Sequence, residues 1–251
     1  MKPLAGKRIV VTRPRGQAAP FIGKIEEAGG TAYAVPLIAF RPCTDGREEA
    51  VLAGLHTYDW ILFTSQNGVD FFMQQAGHLL HKIRAKWAAI GTQTARAAAS
   101  HGLSVSYTPD RFSAEDLADE IQKGFFVPEK LLIPKGSMAR SLIADTVRQA
   151  GKQADEWIVY ETYFPSEERE HLLKLIHTEN VDMITFTSPS AVRHFMQSLQ
   201  EAQMPLPKTE YGVIGQVTEK EALSFGIPIS VCPAEFTIDA LVKEISRFYK
   251  E

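Results

Sequence analysis

Cysteine is nearly absent. Cys43 and Cys232 stand in unrelated contexts without metal-ligand spacing, which excludes a disulfide scaffold and a zinc centre and leaves reduced, space-filling thiols as the expectation. No stretch approaches the ~18 consecutive apolar residues of a membrane helix. Before Thr12 the longest apolar run is Ile9 to Val11, too short for a signal-peptide core, so a cytoplasmic protein is expected. Charge of one sign is lacking too: 27 Lys and Arg against 30 Asp and Glu give a net charge of -3. No global positive field recruits nucleic acid or a membrane surface, and an anionic ligand must be held by local donors. Also missing are GxGxxG after a strand, GxxxxGKS/T, HExxH, CxxC and GxSxG, which removes most support for nucleotide cofactors and metal catalysis. His78 and His81 could share a helix face but have no carboxylate motif beside them, and read as surface histidines.

What is present is enough apolar mass, 45% of 251 residues, for one large domain or two small ones. Short β-branched runs alternate with amphipathic stretches that start at Ser, Thr or Asn and often end at Gly, the grammar of βα units on parallel sheets. Arg8 to Thr12 reads as a strand and Gln17 to Ala28 as a helix stopped by Gly29 and Gly30. Further strands are expected at Trp60 to Thr64, Ala88 to Ile90, Val105 to Tyr107, Leu131 to Pro134, Met183 to Thr187, Tyr211 to Ile214 and Ile229 to Val231. The class is α/β.

The chain also repeats itself. Asp59-Trp-Ile-Leu-Phe-Thr-Ser65 returns as Asp182-Met-Ile-Thr-Phe-Thr-Ser188, and 9 of 17 positions from 59 to 75 are identical to 182 to 198, enough to call a duplication. The match continues from Ile90-Gly-Thr-Gln-Thr94 to Ile214-Gly-Gln-Val-Thr218, and from Pro109-Asp-Arg-Phe112 to Pro233-Ala-Glu-Phe236. More loosely, Arg13 falls opposite Lys135. Two similar open parallel-sheet domains follow. Pro36 to Pro42 and Ile158 to Pro165 are extended, apolar and closed by proline, which suits connecting strands. With connectors at 37–42 and 158–165, one domain is 1–36 plus 166–251 and the other 43–157, each having exchanged its first βα unit. A plain tandem split near residue 125 remains the alternative; the lack of a Gly/Pro/Ser-rich hinge around Val127 to Lys130 favours exchange.

In open α/β sheets, ligands settle beyond the strand carboxyl ends, at helix N-termini. Those turns read Thr12-Arg13-Pro14, Ser65-Gln66-Asn67-Gly68, Gly91-Thr92-Gln93-Thr94, Lys135-Gly136-Ser137, Ser188-Pro189-Ser190 and Gly215-Gln216-Val217-Thr218. Small polar residues cap helices in any such fold. Two sets related by duplication, each with a cation in its opening βα unit, point further, to a cleft for a large polyanion. A hinged, non-catalytic binding protein for an anionic small molecule fits the same architecture.

The strings Phe63-Thr-Ser-Gln-Asn-Gly-Val69 and Phe186-Thr-Ser-Pro-Ser-Ala-Val192, the Ile-Gly-x-x-Thr turns ending at Thr94 and Thr218, and Val159-Tyr-Glu-Thr162 after Leu131-Leu-Ile-Pro-Lys-Gly136 resemble uroporphyrinogen-III synthases across essentially the whole chain. The resemblance implies two exchanged Rossmann-like domains joined by a two-stranded connector, a monomer, no cofactor and an active site in the cleft. The implied reaction closes the linear, polycarboxylate tetrapyrrole hydroxymethylbilane to uroporphyrinogen III, with loss of water and inversion of ring D. It runs through an azafulvene and a spiro intermediate. A transient hand-off from the hydroxymethylbilane-forming enzyme is the implied partner contact. Tyr160 matches the family tyrosine thought to assist hydroxyl departure. Thr94 and Thr218 match turn threonines that bind substrate, although Val217 stands where some relatives carry a second threonine. Thr12, Arg13, Ser65, Gln66, Asn67, Lys135, Ser137, Ser188 and Ser190 complete the expected substrate-binding set.

Overall fold

Short β-branched and aromatic runs become strands, and the amphipathic stretches after them become helices. The computed structural model describes residues 2–250. In chain order the elements are β1 (Arg8–Val11), α1 (Arg15–Glu27), β2 (Thr31–Ala34), β3 (Ala39–Pro42), α2 (Glu48–Gly54), β4 (Trp60–Phe63), α3 (Gln66–Ala76), β5 (Lys86–Ala89), α4 (Thr92–Ser100), β6 (Val105–Tyr107), α5 (Ala114–Gln122), β7 (Lys130–Gly136), α6 (Leu142–Gln149), β8 (Gln153–Tyr163), α7 (Ser166–Thr178), β9 (Met183–Phe186), α8 (Pro189–Glu201), β10 (Glu210–Val213), α9 (Gln216–Ser224) and α10 (Ile238–Phe248). The chain divides into two units, Met1–Ala39 with Tyr163–Glu251, and Phe40–Thr162.

The first unit is built on a parallel sheet of order β10-β9-β1-β2. Its N-terminal strand lies beside a strand from the far end of the chain, with Ile9 opposite Met183 and Val10 opposite Ile184. Ile9 to Val11 and all of β9 are buried because both faces of a parallel sheet are covered. Phe21 and Ile25 of α1 and Leu241 and Ile245 of α10 pack on Ile9, Val11 and Met183. Asp182 fastens the start of the pairing: its carboxylate accepts from the Arg8 backbone N–H at 2.8 Å and from Lys7 Nζ at 3.0 Å.

The second unit has the order β3-β8-β7-β4-β5-β6. Alternation along its strands separates two cores. Ile61, Phe63, Leu132, Trp157 and Val159 face one side, with Val69 and Phe72 of α3 and Ala97 and Ala98 of α4. Leu62, Leu131, Ile133 and Ala154 face the other, with Leu117 and Ile121 of α5 and Ile143 and Val147 of α6. Helices therefore cover both faces. Here too an aspartate fastens the strand that opens the other repeat: Asp59 accepts from the N–H groups of Glu129 and Lys130 at 3.0 and 2.7 Å. The pairings of β1 with β9 and of β7 with β4 are reciprocal, so the sheets follow the exchange rather than a tandem split.

Some strand boundaries differ from expectation. Ile229 to Val231 is no strand but a single bridge from Val231 to Gly212; prolines at 228 and 233 bracket it and remove the donors needed to extend it. The strand expected at Ala88 to Ile90 begins at Lys86 and stops at Ala89. β2, the run Thr-Ala-Tyr-Ala, went unread because alanine carries little strand preference. β8 runs unbroken from Gln153 to Tyr163, so the connecting residues 158–163 continue a sheet strand, and β3 is its neighbour at the sheet edge.

Candidate active site

Ligands of an open sheet collect where the connections of two adjacent strands run in opposite directions. In the second unit that point lies between β4, which leads through α3 to β5, and β7, which leads through α6 to β8. Ser65 ends the β4 turn and caps α3, its Oγ accepting from the Gly68 N–H at 3.0 Å. β7 closes at Gly136, and the register of β8 sets Tyr160 opposite it. A methyl on Gly136 would fall 2.6 Å from Tyr160 Cζ, so glycine alone leaves room for the phenol. The Tyr160 ring is stacked on Phe71, centroids 5.3 Å apart, and meets Phe40 edge-on at 5.7 Å. Its hydroxyl lies 3.3 Å from Ser65 Oγ. The ring is thus fixed while the hydroxyl proton is free to turn between partners.

Around this point Gln66 and Ser137 are exposed and Asn67 half-buried. The Ser137 N–H donates to the Tyr160 carbonyl at 3.0 Å, which ties the β7 turn to β8. Thr94 is buried in the first turn of α4 behind Gly91, whose φ of +86° is a left-handed conformation that favours glycine.

The corresponding point of the first unit lies between β1 and β9. The Thr12 hydroxyl donates to the Thr185 carbonyl at 2.8 Å, and the Thr185 hydroxyl donates to the Val10 carbonyl at 2.7 Å, so Thr12 has its proton committed to the sheet. Arg13 is different. It is half-buried, its Nη2 reaches Gln17 at 3.3 Å, and its buried Nε has no partner. Burial lowers the pKa of this guanidinium by desolvating its charge. Ser188 caps α8, accepting from the Ala191 N–H at 3.2 Å, and Ser190 accepts from Arg193 at 3.1 Å. Thr218 is buried in α9, at the position related by duplication to Thr94.

Lys135, expected to meet a substrate carboxylate, already has one. Its buried Nζ donates to Glu156 at 2.6 Å and to the Arg140 carbonyl at 3.2 Å. Burial pushes the thiols of Cys43 and Cys232 upward, with neighbouring carboxylates adding to it, so both stay protonated and weakly nucleophilic. Among the described residues no three His, Cys, Asp or Glu are gathered as metal ligands, and no helix is long and apolar enough to cross a membrane. A cavity of ≈ 340 Å³ lined by Glu179, Asp182 and Lys208 lies at the amino edge of the first sheet, away from the carboxyl ends of its strands. Sequence reasoning missed Gly136, Phe40 and Phe71 as the supports of Tyr160. Gly136 was visible as the end of a quoted strand, but its role needs the register of β7 on β8.

A sequence model of the family described as uroporphyrinogen-III synthase HemD matches residues 19–243. The chain is 26% identical over 253 residues to the uroporphyrinogen-III synthase of Chlorobaculum parvum, covering 97% of this chain and 100% of that one. It is 25% identical over 264 residues to that of Synechococcus elongatus, covering 100% and 98%. Its structure is similar to that of a mutant uroporphyrinogen III synthase from Thermus thermophilus, with TM-score 0.64 and 17% identity over 98% of this chain and 99% of that one. It is also similar to the Helicobacter pylori synthetase, with TM-score 0.62 and 15% identity over 94% and 96%. At these identities the structural likeness speaks for the fold alone. The stretch matched by the family model spans Ser65, Tyr160 and the turns of Thr94 and Thr218, and by that match the chain belongs to the uroporphyrinogen-III synthase family.

Proposed function

We propose that the chain converts hydroxymethylbilane to uroporphyrinogen III and water as a cyclising hydro-lyase, with Tyr160 as proton donor to the departing hydroxyl. The observation that carries the role of Tyr160 is its placement, locked between Phe71 and Phe40 over Gly136 with its hydroxyl 3.3 Å from Ser65 Oγ. As the carbon–oxygen bond breaks, the phenol protonates the leaving oxygen and water departs. Loss of the pyrrole N–H proton leaves a neutral azafulvene. The substituted carbon of ring D attacks it to form a spiro intermediate, which fragments and recloses in the inverted sense. The proton lost from the pyrrole N–H returns to that nitrogen once the azafulvene carbon has been attacked, and the carbon-bound proton that ring D loses on reclosing balances the one donated to the departing water. Much of the remaining demand is orientation, since the chain must be curled against the uninverted closure.

Substrate carboxylates are held by modest donors. Arg13 supplies the unpaired cation, and Ser65, Gln66, Asn67, Ser137, Ser188, Ser190 and the turns of Thr94 and Thr218 supply hydrogen bonds. Lys135 and the Thr12 hydroxyl serve the fold instead. No cofactor enters this scheme, and we place the enzyme in the cytoplasm, receiving substrate by transient hand-off from the enzyme that makes it. A hinged binding protein is not favoured by the family match. The test is incubation with enzymatically generated hydroxymethylbilane, oxidation and chromatography of the porphyrin isomers. Isomer III supports the assignment, and isomer I alone overturns it.

A further inference from the structure

Duplication has preserved one residue pair that carboxylate recognition does not use. Phe112 and Phe236 are separated by the same interval as Gly91 and Gly215, the glycines of the two Ile-Gly-x-x-Thr turns. Each phenylalanine lies on its own unit's glycine. A methyl built on Gly215 would fall 2.9 Å from Cδ1 of Phe236, and one on Gly91 would fall 3.6 Å from Cβ of Phe112. The backbone behind each ring is fixed, because Ser113 caps α5 and Thr237 caps α10, accepting from Asp116 and Ala240 at 3.0 and 3.1 Å.

A residue just before a helix cap ordinarily packs on the fourth helical residue as a hydrophobic staple, here Leu117 or Leu241. Those leucines are fully buried, yet Phe112 is 57% and Phe236 59% exposed. A staple accounts for neither exposed face. Both rings stand beside turns that carry the buried Thr94 and Thr218, and Val217, 74% exposed, widens the apolar surface beside Phe236.

The substrate alternates carboxylates with flat pyrrole rings, and the polar turns answer only the carboxylates. We propose that Phe112 and Phe236 are substrate-positioning residues, each stacking on a pyrrole ring held at its own unit's Ile-Gly-x-x-Thr turn. This rests on the assignment as a uroporphyrinogen-III synthase. A ring face offset over an electron-rich ring is favourable beyond simple burial, and two such contacts fix the tilt of the rings that hydrogen bonds at the periphery leave free.

The experiment compares Phe112→Leu, Phe236→Leu and the matching Tyr variants with the wild type. It measures KM and kcat with hydroxymethylbilane, Kd for uroporphyrin III by absorbance titration, and thermal melts. Leucine keeps the apolar cover over glycine and removes the π face. Each Leu variant is expected to raise KM and Kd about 3- to 10-fold with an unchanged melt, and each Tyr variant to restore both. Unchanged KM and Kd in the Leu variants, an effect at only one of the two positions, or a lowered melt with equal loss in Leu and Tyr overturns the stacking role. Wild-type failure to form isomer III overturns the enzymatic assignment instead, and the uroporphyrin titration still reads the stacking contacts.

Discussion

In the proposed scheme Tyr160 carries the most chemistry for a single side chain, and its surroundings allow its roles to be separated. Tyr160→Phe keeps the ring between Phe71 and Phe40 and loses only a hydroxyl with a long contact to Ser65. General acid assistance is worth ~100- to 10,000-fold. Turnover should fall about 100-fold or less, with isomer III still the product and the melt unchanged. Tyr160→Ala should also destabilise by about 3 kcal/mol through the cavity left behind. Full turnover in the Phe variant would make the tyrosine structural. The cations separate in the same manner. Arg13→Gln removes a charge-assisted bond of about 1.5 to 3 kcal/mol from the complex alone, so KM rises at least about tenfold with little change in melting. Lys135→Gln leaves the half-buried Glu156 without its cation, so stability should fall by about 2 to 3 kcal/mol while KM in the surviving fold stays near wild type. Denaturant titrations beside steady-state kinetics check both. Sequence placed Arg13 and Lys135 as counterparts. Their difference arises because Glu156 on β8 lies next to β7, a neighbour that strand order reveals and spacing does not.

Helix caps show how one element can serve fold and site together. Ser65 and Ser188 occupy duplicated positions and cap α3 and α8 with nearly the same geometry, but Ser65 also touches Tyr160. Either Ser→Ala change should cost about 1 kcal/mol of stability. Ser65→Ala should lower kcat beyond what Ser188→Ala does. Equal effects on kcat would show that the contact with Tyr160 is idle. The βα grammar and the caps were legible because each depends on a few adjacent residues. β2 and the true length of β8 were not, because alanine-rich or partly polar strands are fixed by their neighbours rather than by their own propensity.

At the scale of the whole molecule the duplication was the strongest sequence signal, since 9 identities in 17 positions do not depend on any structural inference. Which strands pair was left open between exchange and tandem because parallel pairing joins residues far apart in the chain. Asp59 and Asp182 record the answer: each immediately precedes a repeat-related strand and accepts from the backbone at the start of the strand paired with it. The unit Phe40–Thr162 is contiguous and has cores on both faces of its sheet. Expressed as residues 40–162 it should melt cooperatively with native-like circular dichroism, while residues 1–39 added to it should contribute no further folded signal. A fragment without a cooperative transition would show that the unit depends on the rest of the chain.

The pairing of β1 with β9 also sets a timetable for birth on the ribosome. Arg8 emerges before its partner, since the aspartate that fastens it is 174 residues downstream. At ~5 to 20 residues per second, the nascent N-terminal segment waits roughly 10 to 35 s for its central partner. During that interval the later-made contiguous unit can fold first, and β1 travels with one edge unpaired and apolar. Vectorial synthesis therefore builds this protein from the middle outwards, and the interval before β9 appears is when the open edge of β1 is available to chaperones or to another nascent chain.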